Sequence, residues 1–355
     1  MKKSRIKLFF LVFVFAVGFL LGSSGLKEHS RLVNEFAECD RYPYVMEKYE
    51  QSDRYRCYVK QIILVTKKLG PKEAIAMIDN YRELDQQNSI SEARCHNLGH
   101  HVGTVAAKSG YSQETIIKEC GSSCVGGCLN GAVHHYLFRG DPISELENFC
   151  SIPQNDTALT YTCYHGIGHA LVEYTMIDLV ASMKQCSLIS SPEGREQCGH
   201  AVAMDYSVSA LAPNPRLPRN VAEFCHNQDS MIKASCFEFA GFIEYSRSVD
   251  IESAFSVCRQ VELSYQATCQ RRIAEAAVQR YENKLNLLID ECSKGNEEEF
   301  YNCAIHTVQV FRNSVTQDNT FKPEEVCQKL PSKRYLECMS EIADISDSFS
   351  IGFEK

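Results

Sequence analysis

The stretch VDIESAFSVCRQVELSYQATCQRRIAEAAVQRY, residues 249–281, decides the fold of this chain. Before Cys258, apolar residues recur three and four positions apart, which predicts a short amphipathic helix. After Cys269 the same periodicity runs further and predicts a longer helix. Asp250 stands where the first helix should begin, since its short polar side chain caps free backbone amides. We therefore predict a helix A, a loop and a helix B, closed by a disulfide between Cys258 and Cys269.

This arrangement recurs along the chain. Cysteines that begin B helices follow one another at intervals of 33 to 38 residues. They are Cys57, Cys95, Cys128, Cys163, Cys198, Cys236, Cys269, Cys303 and Cys338. A period near 35 residues is typical of helical-repeat arrays, and strand-like alternation is scarce. The predicted fold is therefore all-α, a disulfide-stapled α-solenoid of about nine helix-turn-helix repeats.

A second series of cysteines ends the A helices, 11 to 13 residues before the partners in the first series. This spacing predicts Cys150–Cys163, Cys186–Cys198, Cys225–Cys236, Cys258–Cys269, Cys292–Cys303 and Cys327–Cys338. Cys39–Cys57 fits the rule loosely. Four cysteines remain, and the simplest solution is Cys120–Cys128 within a repeat and Cys95–Cys124 between neighbours. The alternative interpretation of the C-x3-C-x3-C run is a metal or iron–sulfur site.

The period, the helix pairing and the cysteine placement resemble the cysteine-rich relatives of tetratricopeptide repeats. The resemblance covers roughly residues 39 to 345 and implies a right-handed α-solenoid. The chain departs from that family in detail, because the tetratricopeptide pattern of Trp, Gly, Tyr and Pro is not visible. The cysteine gap of about 11 residues is particular to this chain.

The N-terminus predicts export. A basic segment, Lys2 to Lys7, precedes an apolar run from Leu8 to Leu21, which is short for a membrane span. Residues 1–26 are therefore a signal peptide or a retained signal anchor that would hold the chain at the membrane. Eighteen cysteines agree with an oxidising, extracytoplasmic location, secreted or anchored. A net charge of −8 disfavours nucleic-acid binding.

The predicted organisation has two runs of repeats. Residues 30–211 carry His-rich B helices, 212–220 form a Pro-rich loop, 221–345 carry repeats without the histidine cluster, and 346–355 are a tail. Eight of the eleven histidines lie in four consecutive B helices. Counted from the B-helix cysteine, position +6 holds His101, His134 and His169, and position +2 holds His165 and His200. These positions are four residues apart and share one helix face.

Neighbouring B helices packed about 8–10 Å apart would let two of them share one metal ion. The predicted site combines His165 and His169 with His134 or His200, and His101 lies in the same column. Glu173, one turn beyond His169, is a candidate fourth ligand or base. Such a set suits Zn, Cu, Ni or Fe. The competing interpretations are a polar packing ladder of histidines and metal-free acid–base catalysis.

The predicted function is that of an exported or membrane-anchored binding or scaffold protein with a His-lined metal site. A protein partner is expected on the concave face. One alternative is an extracytoplasmic metalloenzyme, redox or hydrolytic, and another is a purely structural interaction module. The chain contains no P-loop, GxGxxG, GxSxG, HExxH or CxxCH motif, which removes the common nucleotide, hydrolase, zincin and c-type haem interpretations.

Overall fold

The computed structural model describes residues 30–32, 34–42, 52–84, 92–152, 156–209, 218–280, 285–314, 323–330 and 333–341. These residues form helices and turns with no strand, which confirms the all-α prediction. The predicted signal segment 1–26, the tail 346–355 and positions 212–217 of the Pro-rich loop lie outside them. Among the helices that the structure describes, none combines the length and apolarity needed to cross a bilayer.

The helices alternate between a preceding A helix and a B helix that is longer in most repeats. The first repeat has a 3-10 turn, Glu38–Arg41, and a long helix α1, Asp53–Leu69. The next three pairs are α2 (Pro71–Leu84) with α3 (Glu92–Lys108), α4 (Gln113–Cys120) with α5 (Gly127–Arg139), and α6 (Ile143–Ser151) with α7 (Thr157–Tyr174). A 3-10 turn, Ser123–Gly126, joins α4 to α5.

The remaining repeats follow the same order. They pair α8 (Leu179–Cys186) with α9 (Pro192–Ser209), α10 (Val221–His226) with α11 (Ser230–Ser248), α12 (Ile251–Gln260) with α13 (Leu263–Arg280), and α14 (Leu285–Cys292) with α15 (Glu297–Ser314). In the last repeat α16 (Pro323–Gln328) precedes helical residues 333–341.

Polar caps fix where the A helices begin. The side chains of Ser112, Asp178, Asn220 and Asp250 each accept a hydrogen bond from a backbone amide in the first turn of the helix that follows. Each cap satisfies a donor that the helix cannot pair internally. The start that the sequence predicts at Asp250 is therefore confirmed.

Disulfides join each A segment to its B helix. The structure contains all nine predicted bridges. They are Cys39–Cys57, Cys95–Cys124, Cys120–Cys128, Cys150–Cys163, Cys186–Cys198, Cys225–Cys236, Cys258–Cys269, Cys292–Cys303 and Cys327–Cys338. The alternative of a metal or iron–sulfur site at C-x3-C-x3-C is wrong in this structure, because its three cysteines are all oxidised. This density of disulfides indicates an oxidising, extracytoplasmic environment.

The chain divides into two compact units. The N-terminal unit comprises Met1–Asp141 and Asn148–Gly166, and the C-terminal unit comprises Pro142–Glu147 and Ile167–Lys355. In the N-terminal unit, α1 packs on α3 and α3 packs on α5. In the C-terminal unit, α9, α11, α13 and α15 pack in succession. This neighbour-to-neighbour contact of B helices is the packing that a solenoid requires.

Candidate functional site

In the N-terminal unit, two of the three predicted ligands contact aromatic side chains. On α3, the Nε2 atom of His101 lies 3.2 Å from the hydroxyl oxygen of Tyr55 on α1. On α5, the ring of His134 stacks on Phe138 one turn later, with 4.2 Å between ring centroids. His165 on α7 is partly buried. These contacts place His101 at a contact between B helices, as the packing interpretation expects.

In the C-terminal unit, His169 pairs with a carboxylate of the next B helix. Its Nδ1 atom lies 2.9 Å from an Oδ atom of Asp205 on α9. The His169 side chain is 13% exposed and that of Asp205 is 35% exposed, so the pair opens to solvent on the Asp205 side. A carboxylate at this distance orients the imidazole and accepts a hydrogen bond from Nδ1.

His200 on α9 faces a more crowded environment. Its Nε2 atom lies 4.0 Å from an Oε atom of Glu238 on α11, and its ring meets the ring of Phe239 edge to face. Burial, together with the charges of Arg272 and His169, lowers the pKa of His200 to about 4. His200 is therefore neutral at physiological pH, because burial and the positive charges nearby disfavour protonation of its imidazole.

Charged pairs continue from α11 to α15. Arg272 on α13 lies over the ring of Phe239 and forms an ion pair with Glu275 on its own helix. Glu275 in turn lies 2.7 Å from Nε2 of His306 on α15. Burial alone would raise the pKa of Glu275, but the hydrogen bond from His306 and the charge of Arg272 outweigh it. The pKa of Glu275 therefore falls below its ordinary value.

These pairs lie on successive B helices, and we call them together the polar strip. It runs across α7, α9, α11, α13 and α15. Its members are His169, Asp205, His200, Glu238, Arg272, Glu275 and His306. Each side chain is between 13% and 35% exposed. The strip is therefore a half-buried polar surface whose members pair with one another.

Sequence reasoning missed five members of the strip, namely Asp205, Glu238, Arg272, Glu275 and His306. For two of them the sequence contains a signal, which is their register. Glu238 lies at +2 and Glu275 at +6 from the B-helix cysteines of their own repeats, the positions that histidines occupy in earlier repeats. An acid at such a position meets a polar side chain of a neighbouring helix, because equivalent positions of stacked helices are adjacent.

The metal prediction remains a prediction. The described residues contain one group of three His, Cys, Asp or Glu ligand atoms within 4.8 Å of one another, namely Asp79, Cys95 and Cys124. Its two cysteines are bonded to each other, so neither offers a thiolate. Of the predicted ligands, His101, His134 and His165 belong to the N-terminal unit, and His169, His200 and Glu173 to the C-terminal unit. Glu173 is exposed on the last turn of α7.

Comparison with known proteins adds no relative: no family model, no curated protein and no solved structure matches the chain.

Proposed function

We propose that this chain is an extracytoplasmic binding or scaffold protein that engages a protein partner through the polar strip. The observation that carries the proposal is the strip itself, a partly exposed row of charged and imidazole groups along five successive B helices. Extended surfaces of this kind, formed by stacked repeats, are the usual binding faces of helical-repeat proteins. Export by the N-terminal segment, cleaved or retained as an anchor, would bring the strip to an extracytoplasmic partner.

The charge of the strip indicates the chemistry of that partner. The strip holds three carboxylates, at Asp205, Glu238 and Glu275, against the single guanidinium of Arg272. Carboxylates therefore outnumber guanidinium groups on this surface. A partner surface rich in Lys or Arg would complement it, and the association should weaken as salt rises.

Site-specific photocrosslinking in the protein's own compartment tests the proposal. Benzoylphenylalanine would replace Asp205, the most exposed member of the strip, in the full chain. The control chain would carry the same group in place of Leu188, which is 62% exposed in the loop between α8 and α9. We expect a discrete adduct from position 205 and none from position 188.

Charge reversal provides the second arm. Glu238→Lys and Glu275→Lys, added to the chain with the crosslinker at position 205, should remove the adduct while circular dichroism stays helical. An adduct that persists unchanged with both reversals, or that forms equally from position 188, would contradict binding through the strip.

A further inference from the structure

A second pair of imidazoles lies outside the polar strip, on α3. His96 and His100 are four residues apart and share one face of the helix. Their Nε2 atoms lie 3.0 Å apart, and their ring centroids are separated by 4.7 Å. Two nitrogen atoms at this separation can share one hydrogen bond or bind one ion. Both side chains are partly exposed.

The backbone around this pair is held firmly. Gly127 and Gly131 of α5 lie against the carbonyl groups of His96 and His100, where a Cβ atom would come within 2.2 and 2.0 Å of those oxygens. The bridge Cys95–Cys124 ties the residue before His96 to the 3-10 turn that precedes α5. The two imidazoles therefore stand on a short, rigid contact between B helices.

The same turn selects the tautomer of His96. Its Nδ1 atom lies 3.3 Å from the carbonyl oxygen of Cys124, which accepts a hydrogen bond. With the proton on Nδ1, the Nε2 atom of His96 presents its lone pair. Histidines that bind metal ions are oriented in this way, through a carbonyl or carboxylate on the nitrogen that does not bind.

A third group points at the pair from α5. Asn130 is 1% exposed, and its Nδ2 atom lies 3.5 Å from Nε2 of His96. Its Oδ1 atom is buried, and no hydrogen-bond donor reaches it from the described residues. A half-turn of the amide exchanges the two atoms, which are assigned by their hydrogen bonds. The carbonyl oxygen would then face Nε2 of His96, and the lone pairs of these two atoms could both be satisfied by one bound cation.

We propose that His96, His100 and Asn130 bind one divalent transition-metal ion of the Zn²⁺ or Cu²⁺ type. Two ligand atoms on a tetrahedral ion, each about 2.1 Å from it, are about 3.4 Å apart. The separations of 3.0 and 3.5 Å around His96 Nε2 lie close to that value. His100 binds through Nε2 once the proton there has moved to Nδ1 through solvent, so no net proton is released. Solvent occupies the remaining position, and the site is independent of the polar strip.

Cobalt and zinc titrations of the untagged full chain test this site after chelator treatment and dialysis. We expect one Co²⁺ per chain with the visible absorption of a tetrahedral ion, displaced by one Zn²⁺. His100→Gln and His96→Gln should each weaken binding at least about tenfold. Asn130→Asp should tighten binding about tenfold, because a negatively charged carboxylate oxygen attracts the cation more strongly than a neutral amide oxygen does. His165→Ala with His169→Ala, the matched control, should leave this ion in place.

Folding is checked separately, by circular dichroism and by mapping Cys95–Cys124 in each variant. His100→Gln leaves the bond from His96 to the Cys124 carbonyl intact, so it tests ligation even where His96→Gln fails to fold. Absence of stoichiometric Co²⁺ in the wild type would overturn the proposal. Equal binding by wild type and His100→Gln would also overturn it, since the close nitrogen pair would then be an internal hydrogen bond alone.

Discussion

Val249 adopts a backbone conformation that few β-branched residues tolerate. Its φ of 61° and ψ of 23° lie in the left-handed region, where it ends α11 by donating its N–H to the Tyr245 carbonyl. The residues that end α3 and α5 with positive φ are glycines, Gly110 and Gly140. A residue with a Cβ atom in this region is strained by about 1–2 kcal/mol. Replacing it by glycine removes the strain, but it also makes the unfolded chain more flexible, which offsets part of the gain.

Val249→Gly should therefore raise the free energy of unfolding by up to about 1 kcal/mol. Little apolar burial is lost, because Val249 is 43% exposed. Urea denaturation with the disulfides intact measures the change. Val180→Gly, at a similarly exposed position within α8, should instead destabilise by about 1 kcal/mol. Destabilisation by both changes would mean that Val249 contributes contacts that outweigh its strain.

His200 makes stability depend on pH. Its pKa, about 4 in the folded chain, lies below the value near 6.5 of an unfolded histidine. Between these two pH values, His200 is protonated in the unfolded chain and neutral in the folded chain. Its contribution to the free energy of unfolding is therefore fully present above pH 6.5 and is lost as the pH falls toward 4. The side chain is 28% exposed, and solvent screening brings the expected loss to about 1–3 kcal/mol.

His200→Gln should flatten this part of the stability profile. Denaturation at several pH values between 4 and 7 measures the slope, and the difference between variant and wild type isolates His200 from carboxylates that titrate nearby. His226→Gln, on the exposed end of α10, is the control for replacing an imidazole by an amide elsewhere in the chain. Equal slopes for wild type and His200→Gln would show that the imidazole of His200 is not held neutral by its surroundings.

The sequence predicts which helix face a histidine occupies better than it predicts which side chain that histidine contacts. Positions +2 and +6 correctly place His169 and His200 among the B-helix contacts, because helical periodicity determines the face. Which carboxylate each one meets depends on side-chain rotamers and on the stagger between helices. The periodicity of a single sequence specifies neither the rotamers nor the stagger, so only the structure identifies Asp205 and Glu238 as the contacting carboxylates.

At the scale of the helix, glycines set how closely α3 and α5 approach. At Gly103 of α3, a Cβ atom would lie 1.7 Å from the Cys128 carbonyl oxygen and 2.8 Å from the Ala132 nitrogen. Both are backbone atoms of α5 and cannot swing aside. Thr104 also donates its hydroxyl to the Gly131 carbonyl, 3.0 Å away. The two helices therefore meet backbone to backbone.

Gly103→Ala should force α3 and α5 apart and cost about 3 kcal/mol or more, the upper range for overpacking a tight contact. Thermal unfolding, followed by circular dichroism, measures the loss. Gly199→Ala in α9 is the matched control, since its new Cβ would meet mainly the Ile232 side chain at 3.0 Å, which can shift. A Gly103→Ala chain as stable as the control would show that the helices separate without penalty.

Helices and bridges are the features that the sequence determines most fully. Periodic apolar residues, polar caps and a cysteine gap of 11 to 13 residues each specify the same boundaries, and their agreement explains why six of the pairings follow directly from the sequence. The close approach at Gly103 is different. Its signal is the four-residue spacing of Gly99 and Gly103 opposite Gly127 and Gly131, and that spacing does not reveal which helices meet.

At the scale of the whole molecule, the disulfides are mostly local. Every bridge but one joins cysteines of the same repeat, at separations of 8 to 18 residues. Cys95–Cys124 joins two repeats across 29 residues. Stability of a repeat array is approximately a sum of repeat and nearest-neighbour terms. Loss of one bridge within a repeat should then lower the stability chiefly of that repeat and of its neighbours.

The pair Cys258→Ala and Cys269→Ala removes the bridge that closes α12 onto α13. In the chain-entropy model a loop of this size contributes about 3 kcal/mol, because the open unfolded repeat gains conformational freedom. Native-state hydrogen exchange should therefore show faster exchange in α11 to α15, while α3 and α5 keep wild-type protection. Reducing and non-reducing peptide maps would confirm that the other eight bridges remain. If protection instead falls equally from α1 to α15, the chain unfolds as one cooperative core, and the additive repeat description fails.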